Sequence, residues 1–255
     1  MPISAGPVWV VDLDGVIWLA DRPIPKGDEA VARARDRGVR LLFVTNNSSL
    51  TVGQYVEKLQ GMGIDVPPDD IVTSAQAAAG LLEPGSSAVV CGGAGVTEAL
   101  EQRGIETRAE GPADALVMGW HRDFDFSRLT VACRAVWAGS RFVATNRDAT
   151  YPTPDGLLPG AGALVAAVAF ATGAEPVVAG KPNPPVSALL LARAGGRVDL
   201  VVGDRLDTDG LLARRLDVPF GLVLSGVTRQ QPEDGDVEPV HVAPDFNGLV
   251  AALDG

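Results

Sequence analysis

The run Val8-Trp9-Val10-Val11-Asp12-Leu13-Asp14-Gly15 constrains this chain more than any other. Apolar, β-favouring residues lead straight into two aspartates spaced i, i+2, and a glycine comes next. The pattern predicts a buried strand whose carboxyl end presents acids to a loop. Carboxylates are costly at the mouth of an apolar core, and a bound cation is the obvious compensation.

The elements after that strand set the fold class. Helical periodicity over Asp28–Arg37 leads to a strand at Val39–Val44, then to helices at Thr51–Met62 and near Ala75–Leu82. Further on, a helix starts near Pro184. A strand at Leu200–Val202, a helix near Asp209–Leu216, an apolar run at Phe220–Leu224 and a last helix at Phe246–Leu253 come after it. Alternation of this kind predicts an α/β fold, an open, doubly wound parallel sheet with helices on both faces. The middle has its own alternation: strands at Ala88–Cys91, Ala115–Met118 and Arg141–Ala144, and helices ending at Gln102 and spanning Phe126–Trp137 and Ala163–Ala171. We therefore expect residues 83–176 to form an inserted α/β layer, and 1–82 with 177–255 to form the core.

Composition excludes several functions. A chain of 255 residues holds one large domain or two modest ones, and 46% hydrophobic residues is ordinary for a globular protein. No apolar run reaches the length of a membrane span, so no membrane partner is expected. The start, Met1-Pro2-Ile3-Ser4, lacks the basic and apolar regions of a signal peptide. Cys91 and Cys133 lie far apart and read as small buried residues, so the expected compartment is cytoplasmic. A net charge of −11 with scattered Lys and Arg argues against nucleic acid. An anionic substrate would need local positive groups against that overall field.

Four short motifs end or follow predicted strands: Asp12-Leu13-Asp14-Gly15, Thr45-Asn46-Asn47-Ser48, Gly180-Lys181-Pro182, and Gly203-Asp204-Arg205-Leu206-Asp207-Thr208-Asp209. In doubly wound sheets ligands bind outside the carboxyl ends of the strands, so the motifs can converge on one crevice. Asp12, Asp14, Asp204, Asp207 and Asp209 supply oxygen ligands. Thr45, Asn46 and Asn47 supply donors for an anion, and Lys181 a point positive charge. An oxygen-rich set without His or Cys favours magnesium over zinc. Two unit charges about 4 Å apart interact by roughly 4 kcal/mol at an effective dielectric of 20, so one lysine offsets only part of the repulsion between phosphate and several carboxylates. Metal and phosphate therefore require each other in this reading.

These motifs resemble those of the magnesium-dependent phosphatases of the haloacid dehalogenase superfamily. The segments Ala144-Thr145-Asn146-Arg147-Asp148, Tyr151-Pro152, Gly156 and Pro159-Gly160-Ala161-Gly162 are similar to its NagD-like, p-nitrophenyl phosphatase branch. The resemblance implies a Rossmann-like core with a C2-type α/β cap at 83–176, Mg2+ as cofactor, a small phosphorylated metabolite as partner, and allows a homodimer through the cap. It makes Asp12 the nucleophile that forms an aspartyl-phosphate, and Asp14 the acid that protonates the leaving alkoxide and then activates water. Thr45 and Lys181 bind phosphoryl oxygens, with Asn46 helping through its backbone and Asn47 beside them. Asp12, the main-chain carbonyl of Asp14, and Asp204 hold the metal, with Asp207 or Asp209 behind them. Asn146, Asp148 and Tyr151 read either as substrate contacts across the cleft or as parts of a structured cap loop. Glycerol phosphate, phosphoglycolate, a nucleoside monophosphate and pyridoxal phosphate all fit this reading.

Rival readings are a 2-haloacid dehalogenase, a phosphorylated receiver domain, and a non-catalytic sensor or scaffold on the same fold. The first needs neither Asp14 nor a metal set, the second is about half this length, and the third would have lost charged positions. Gly92-Gly93-Ala94-Gly95 reads as a tight strand-to-helix turn, since the dinucleotide fingerprint is incomplete. Trp9, Trp18, Trp120 and Trp137 read as packing residues, and His121 as a surface or turn histidine. Gly210, after Asp209, puts the local helix start in question.

Overall fold

The computed structural model describes residues 6–231 and 237–253. The segment Met1-Pro2-Ile3-Ser4 and the outermost parts of the 1–82 and 177–255 spans lie outside the described residues.

The strand Val8–Asp12 is buried along its whole length. It runs parallel to Arg40–Thr45 on one side and to Leu200–Gly203 on the other. Ile71–Thr73 extends the sheet beyond Arg40–Thr45; Phe220–Val223 and His241–Ala243 extend it beyond Leu200–Gly203. All six strands are parallel. Numbered in chain order they lie 3-2-1-4-5-6, the doubly wound arrangement in which the order reverses beside the first strand. Alternation sorts the side chains by face. Val8 and Val10 join Leu42, Val44 and Val201 on one side. Trp9 and Val11 join Leu41, Phe43 and Ile71 on the other, against the helices Gly27–Asp36 and Phe246–Ala252.

Residues beyond Ala79 build a second parallel sheet of five strands, ordered Val177–Val178, Arg141–Ala144, Ala115–Met118, Ser87–Cys91, Glu106–Arg108. Its far face is covered by helices Phe126–Trp137 and Ala161–Thr172. The near face is not a separate core: Val90, Val117 and Val143 join the same apolar cluster as Val8 and Val10. A hairpin of Thr150–Thr153 and Gly156–Pro159 hangs from this layer over the core sheet's carboxyl edge.

Three expectations need correction. Trp137 is 63% exposed, because it ends its helix on the face turned away from the sheet. His121 is buried, so of the two readings the turn holds and the surface does not; its Nδ1 lies 2.7 Å from Asp123 in the loop that follows Ala115–Met118. The helix expected near Asp209 starts at Leu211, preceded by a π-helical turn over Leu206–Gly210. Both cysteines are free and buried, and among the described residues no helix is long and apolar enough to cross a membrane.

Candidate active site

The core strands deliver three of the four motifs to one edge. Asp12 lies level with Val44, so Thr45 comes one step on, and Asp204 comes directly after Leu200–Gly203 on the opposite side. Lys181 arrives from the second sheet. Ala179 and Gly180 donate to Ala144 and Thr145 carbonyls, and the chain then enters helix Pro184–Arg193, with Pro184 at its first position.

Lys181 is the hub. Its Nζ is 2.7 Å from Asp12 Oδ1 and 2.6 Å from Asp209 Oδ1, and all three residues are buried. Asp12, Asp204 and Asp209 offer carboxylate oxygens within 4.8 Å of one another. The π-helical turn makes this possible, because it swings Asp209 back under Gly203; a Cβ on Gly203 would collide with the Asp209 carboxylate. Asp207 points the other way, to Arg205 at 2.8 Å, and is 67% exposed. Of the pair Asp207 or Asp209, the geometry therefore brings Asp209 to the acids and leaves Asp207 outside.

Asp204 is supported by a loop that sequence reading missed. The Val227 amide donates to its Oδ2, and Gly226 packs so closely that any Cβ would strike the carboxylate. Its other oxygen, Oδ1, is buried and has no hydrogen-bond partner. Three acids round one ammonium leave the cluster short of positive charge, which a buried site tolerates only with protons or a cation. Burial, then Asp209, push Asp204 up to about 7. Burial pushes Asp12 above the ordinary carboxyl range, with Lys181 pulling the other way. Burial disfavours the Lys181 charge, but Asp12 and Asp209 outweigh it and hold the ammonium protonated.

Asp14 sits apart from this cluster, as alternation along the chain requires. Thr45 Oγ1 donates to its Oδ2 at 3.1 Å. Trp18 Nε1 and the Tyr151 hydroxyl donate to its Oδ1 at 2.9 and 3.0 Å. Trp18 is thus a buried residue with a polar duty, and Tyr151 crosses from the inserted layer. The remaining amides bind the protein itself. Asn46 clamps the Lys181 backbone from both sides, accepting its N–H at 2.8 Å and donating to its carbonyl at 3.1 Å. The same Nδ2 reaches Asp148, while Asn146 donates to the Asn46 carbonyl at 2.6 Å. Burial pushes Asp148 up to about 6. Asn47 caps its own turn through Ser49.

The cleft between the layers holds about 50 Å³, room for a few waters. Besides the expected residues, Trp120, Thr150, Pro152, Arg205 and Thr208 line it. Arg205 was legible, since it stands directly after Asp204 in the fourth motif. Ser225 and Gly226 come just after the strand Phe220–Val223, so the rule that selected the other motifs covers them too. Trp120 gave no signal, because its place depends on how the hairpin folds over the core.

Fold and site together define a class, a doubly wound α/β protein built round a buried aspartate–lysine centre at its switch point. Comparison with known proteins gives it a family. Residues 9–106 match the haloacid dehalogenase-like hydrolases, and residues 178–249 match a HAD-hydrolase-like family. The D-glycerol 3-phosphate phosphatase of Mycobacterium tuberculosis is 39% identical over 224 residues, 86% of this chain and 63% of that protein. The chain thus spans less than two thirds of the length of that relative. The acid sugar phosphatase of Staphylococcus aureus is 32% identical over 252 residues, covering 96% of this chain and 97% of that protein. A glycerol phosphate phosphatase from Mycobacterium tuberculosis in complex with magnesium superposes with a TM-score of 0.86 at 34% identity, covering 96% of this chain and 76% of that one. The chain belongs to the haloacid dehalogenase-like hydrolases. Its structural neighbours include p-nitrophenyl phosphatases and a NagD protein, consistent with the NagD-like branch of that family.

Proposed function

We propose that this chain is a magnesium-dependent phosphatase acting on a small polyol phosphate through an aspartyl-phosphate on Asp12. One observation carries the reading. A buried carboxylate, Asp12, is held by Lys181 at 2.7 Å, and a second carboxylate, Asp14, is held by Thr45, Trp18 and Tyr151. One is placed to attack phosphorus and the other to handle the leaving group's proton.

In this reading Asp12 attacks phosphorus as the ester P–O bond breaks. The bonding pair goes to the leaving oxygen, which takes a proton from Asp14. The Asp14 carboxylate then takes a proton from water. The water oxygen attacks the aspartyl-phosphate and frees phosphate and Asp12. Thr45 and Lys181 hold the phosphoryl oxygens. The orphaned Asp204 Oδ1 and the all-carboxylate donor set fit a hard dication held by Asp12, Asp204 and the Asp14 carbonyl, with Asp209 beside them. When bound, that ion would neutralise phosphoryl charge and bring the anion to an otherwise acidic site.

Residues 83–176, extended by Val177–Val178, are proposed as the cap that selects the leaving group. Among the described residues lining the cleft, this layer contributes Trp120, Asn146, Asp148, Thr150, Tyr151, Pro152, Gly160 and Ala161, and no Lys or Arg. Arg205, from the core, is already paired with Asp207. Such a lining suits a neutral polyol better than a second anionic group, and the glycerol phosphate and sugar phosphatase relatives support that preference. Magnesium-dependent phosphate release should rank glycerol and sugar phosphates above phosphoglycolate in kcat/KM by about tenfold or more. A reversed order would overturn the polyol reading, and no release from any ester would overturn the phosphatase.

The metal reading has a pH signature. Asp204 carries a folded pKa of about 7 against roughly 3.9 unfolded, so between those values the folded state holds the extra proton. Its contribution to metal-free stability is present below the lower value and lost as pH rises through about 7. A cation takes the place of that proton. Saturating magnesium should therefore raise Tm by about 5–10 °C at pH 8 and by clearly less at pH 6. Equal shifts in thermal melts with MgCl2 and EDTA would remove Asp204 from the metal site.

A further inference from the structure

Tyr151 lies 137 residues from Asp14 in sequence, yet its hydroxyl donates to Asp14 Oδ1 at 3.0 Å. That oxygen is shared with Trp18 Nε1 from the core. With Thr45 on Oδ2, the carboxylate is held by three donors on three separate segments, and only Tyr151 comes from the inserted layer. The ring is itself fixed from behind. It stacks on Trp120 with centroids 4.9 Å apart, and Trp120 Nε1 donates to the Pro159 carbonyl at 3.0 Å. Tyr151 and Leu158 are cross-strand partners in the hairpin. Burial, followed by the Asp14 charge, pushes the hydroxyl above the ordinary phenol range, so it remains a donor.

A carboxyl group free to turn about its side-chain bonds presents its proton over a wide arc. One held at both oxygens presents it along one line, and general acid catalysis is steep in that alignment. We propose that Tyr151 is a positioning residue, which orients Asp14 toward the leaving-group oxygen and makes proton transfer depend on the hairpin lying over the core. The proposal rests on the phosphatase reading, and it gives Tyr151 a duty toward Asp14 in place of one toward the substrate alone.

Tyr151→Phe keeps the ring, its stacking on Trp120 and the hairpin, and removes only the hydroxyl. The test compares kcat/KM of the magnesium-loaded full chain and this variant across ring-substituted phenyl phosphates, which share shape but differ in leaving-group basicity. The ratio kcat/KM reports leaving-group departure, when the proton from Asp14 is needed. p-Nitrophenolate leaves with little help, whereas phenolate needs the proton. The variant should lose activity toward both, with a loss about tenfold greater for phenyl phosphate than for p-nitrophenyl phosphate. The slope of log kcat/KM against leaving-group pKa thus steepens. Parallel losses along the series would show a structural or substrate-binding role and overturn the proposal, as would no loss. A wild-type chain that released phosphate from none of the esters would instead end the phosphatase reading and, with it, this one.

Discussion

Asp12→Asn should abolish turnover, by a factor of about 10⁴ or more, without weakening the fold. The two halves of this expectation come from the same electrostatics. An amide of nearly the same shape cannot attack phosphorus, so the covalent route closes. Yet ionised Asp12 is a strained partner in the metal-free protein: it is buried, and Asp209, Asp204 and Asp14 all oppose its charge, with Lys181 alone in its favour. Neutralising it relieves that repulsion, and Lys181 keeps Asp209 at 2.6 Å. The EDTA-treated variant should melt at or above the wild-type temperature. Residual phosphate release above ~1% of wild type would remove Asp12 from the nucleophile's place, since loss of a nucleophile leaves far less. A marked fall in Tm would show that the Asp12–Lys181 pair holds the fold together.

Most of the fold was legible because both periodicities are strong here. The helix Phe126–Trp137 and the strands Ala115–Met118 and Arg141–Ala144 fall on the expected residues. The elements that escaped were short strands, Ile71–Thr73, Glu106–Arg108, Val177–Val178 and His241–Ala243, and two hairpins, Thr150–Thr153 with Gly156–Pro159 and Trp18–Leu19 with Arg22–Pro23. Two or three residues carry too little alternation to be read alone. They become strands because a neighbour already in the sheet offers unpaired amides and carbonyls. The candidate site divides in the same way. Asp12 and Asp204 were legible from their positions at the ends of core strands, and Lys181 from its place just before the helix Pro184–Arg193. The division of labour between Asp207 and Asp209 was not, since it turns on a π-helical turn fitted against Gly203. Nor was the duty of the Asn46 side chain, which clasps the Lys181 backbone and reaches Asp148. Trp18 read as packing because nothing in its sequence neighbourhood says which way the indole N–H points.

Lys181→Met should do the opposite of Asp12→Asn and destabilise the metal-free protein by about 3–5 kcal/mol near pH 8. Methionine fills the same volume, so packing is nearly conserved and the change is electrical. Asp12, Asp204 and Asp209 stay within 4.8 Å of one another, and the ammonium that bridged two of them is gone. Domains of this kind are stable by only about 5–15 kcal/mol, so the loss is a large share of the total. Two conditions should narrow the gap to wild type. Lower pH lets the stranded carboxylates take protons, and magnesium supplies the missing positive charge. Urea unfolding in EDTA at pH 8, repeated at pH 5.5 and with MgCl2, measures all three. A variant within ~1 kcal/mol of wild type in EDTA at pH 8 would mean that the acids are already neutral there and that Lys181 pairs with little charge. Rescue by acid without rescue by magnesium would keep the buried cluster and deny that it is a metal site. Rescue by both, with phosphate release still lost, would separate what Lys181 does for the fold from what it does for the phosphoryl oxygens.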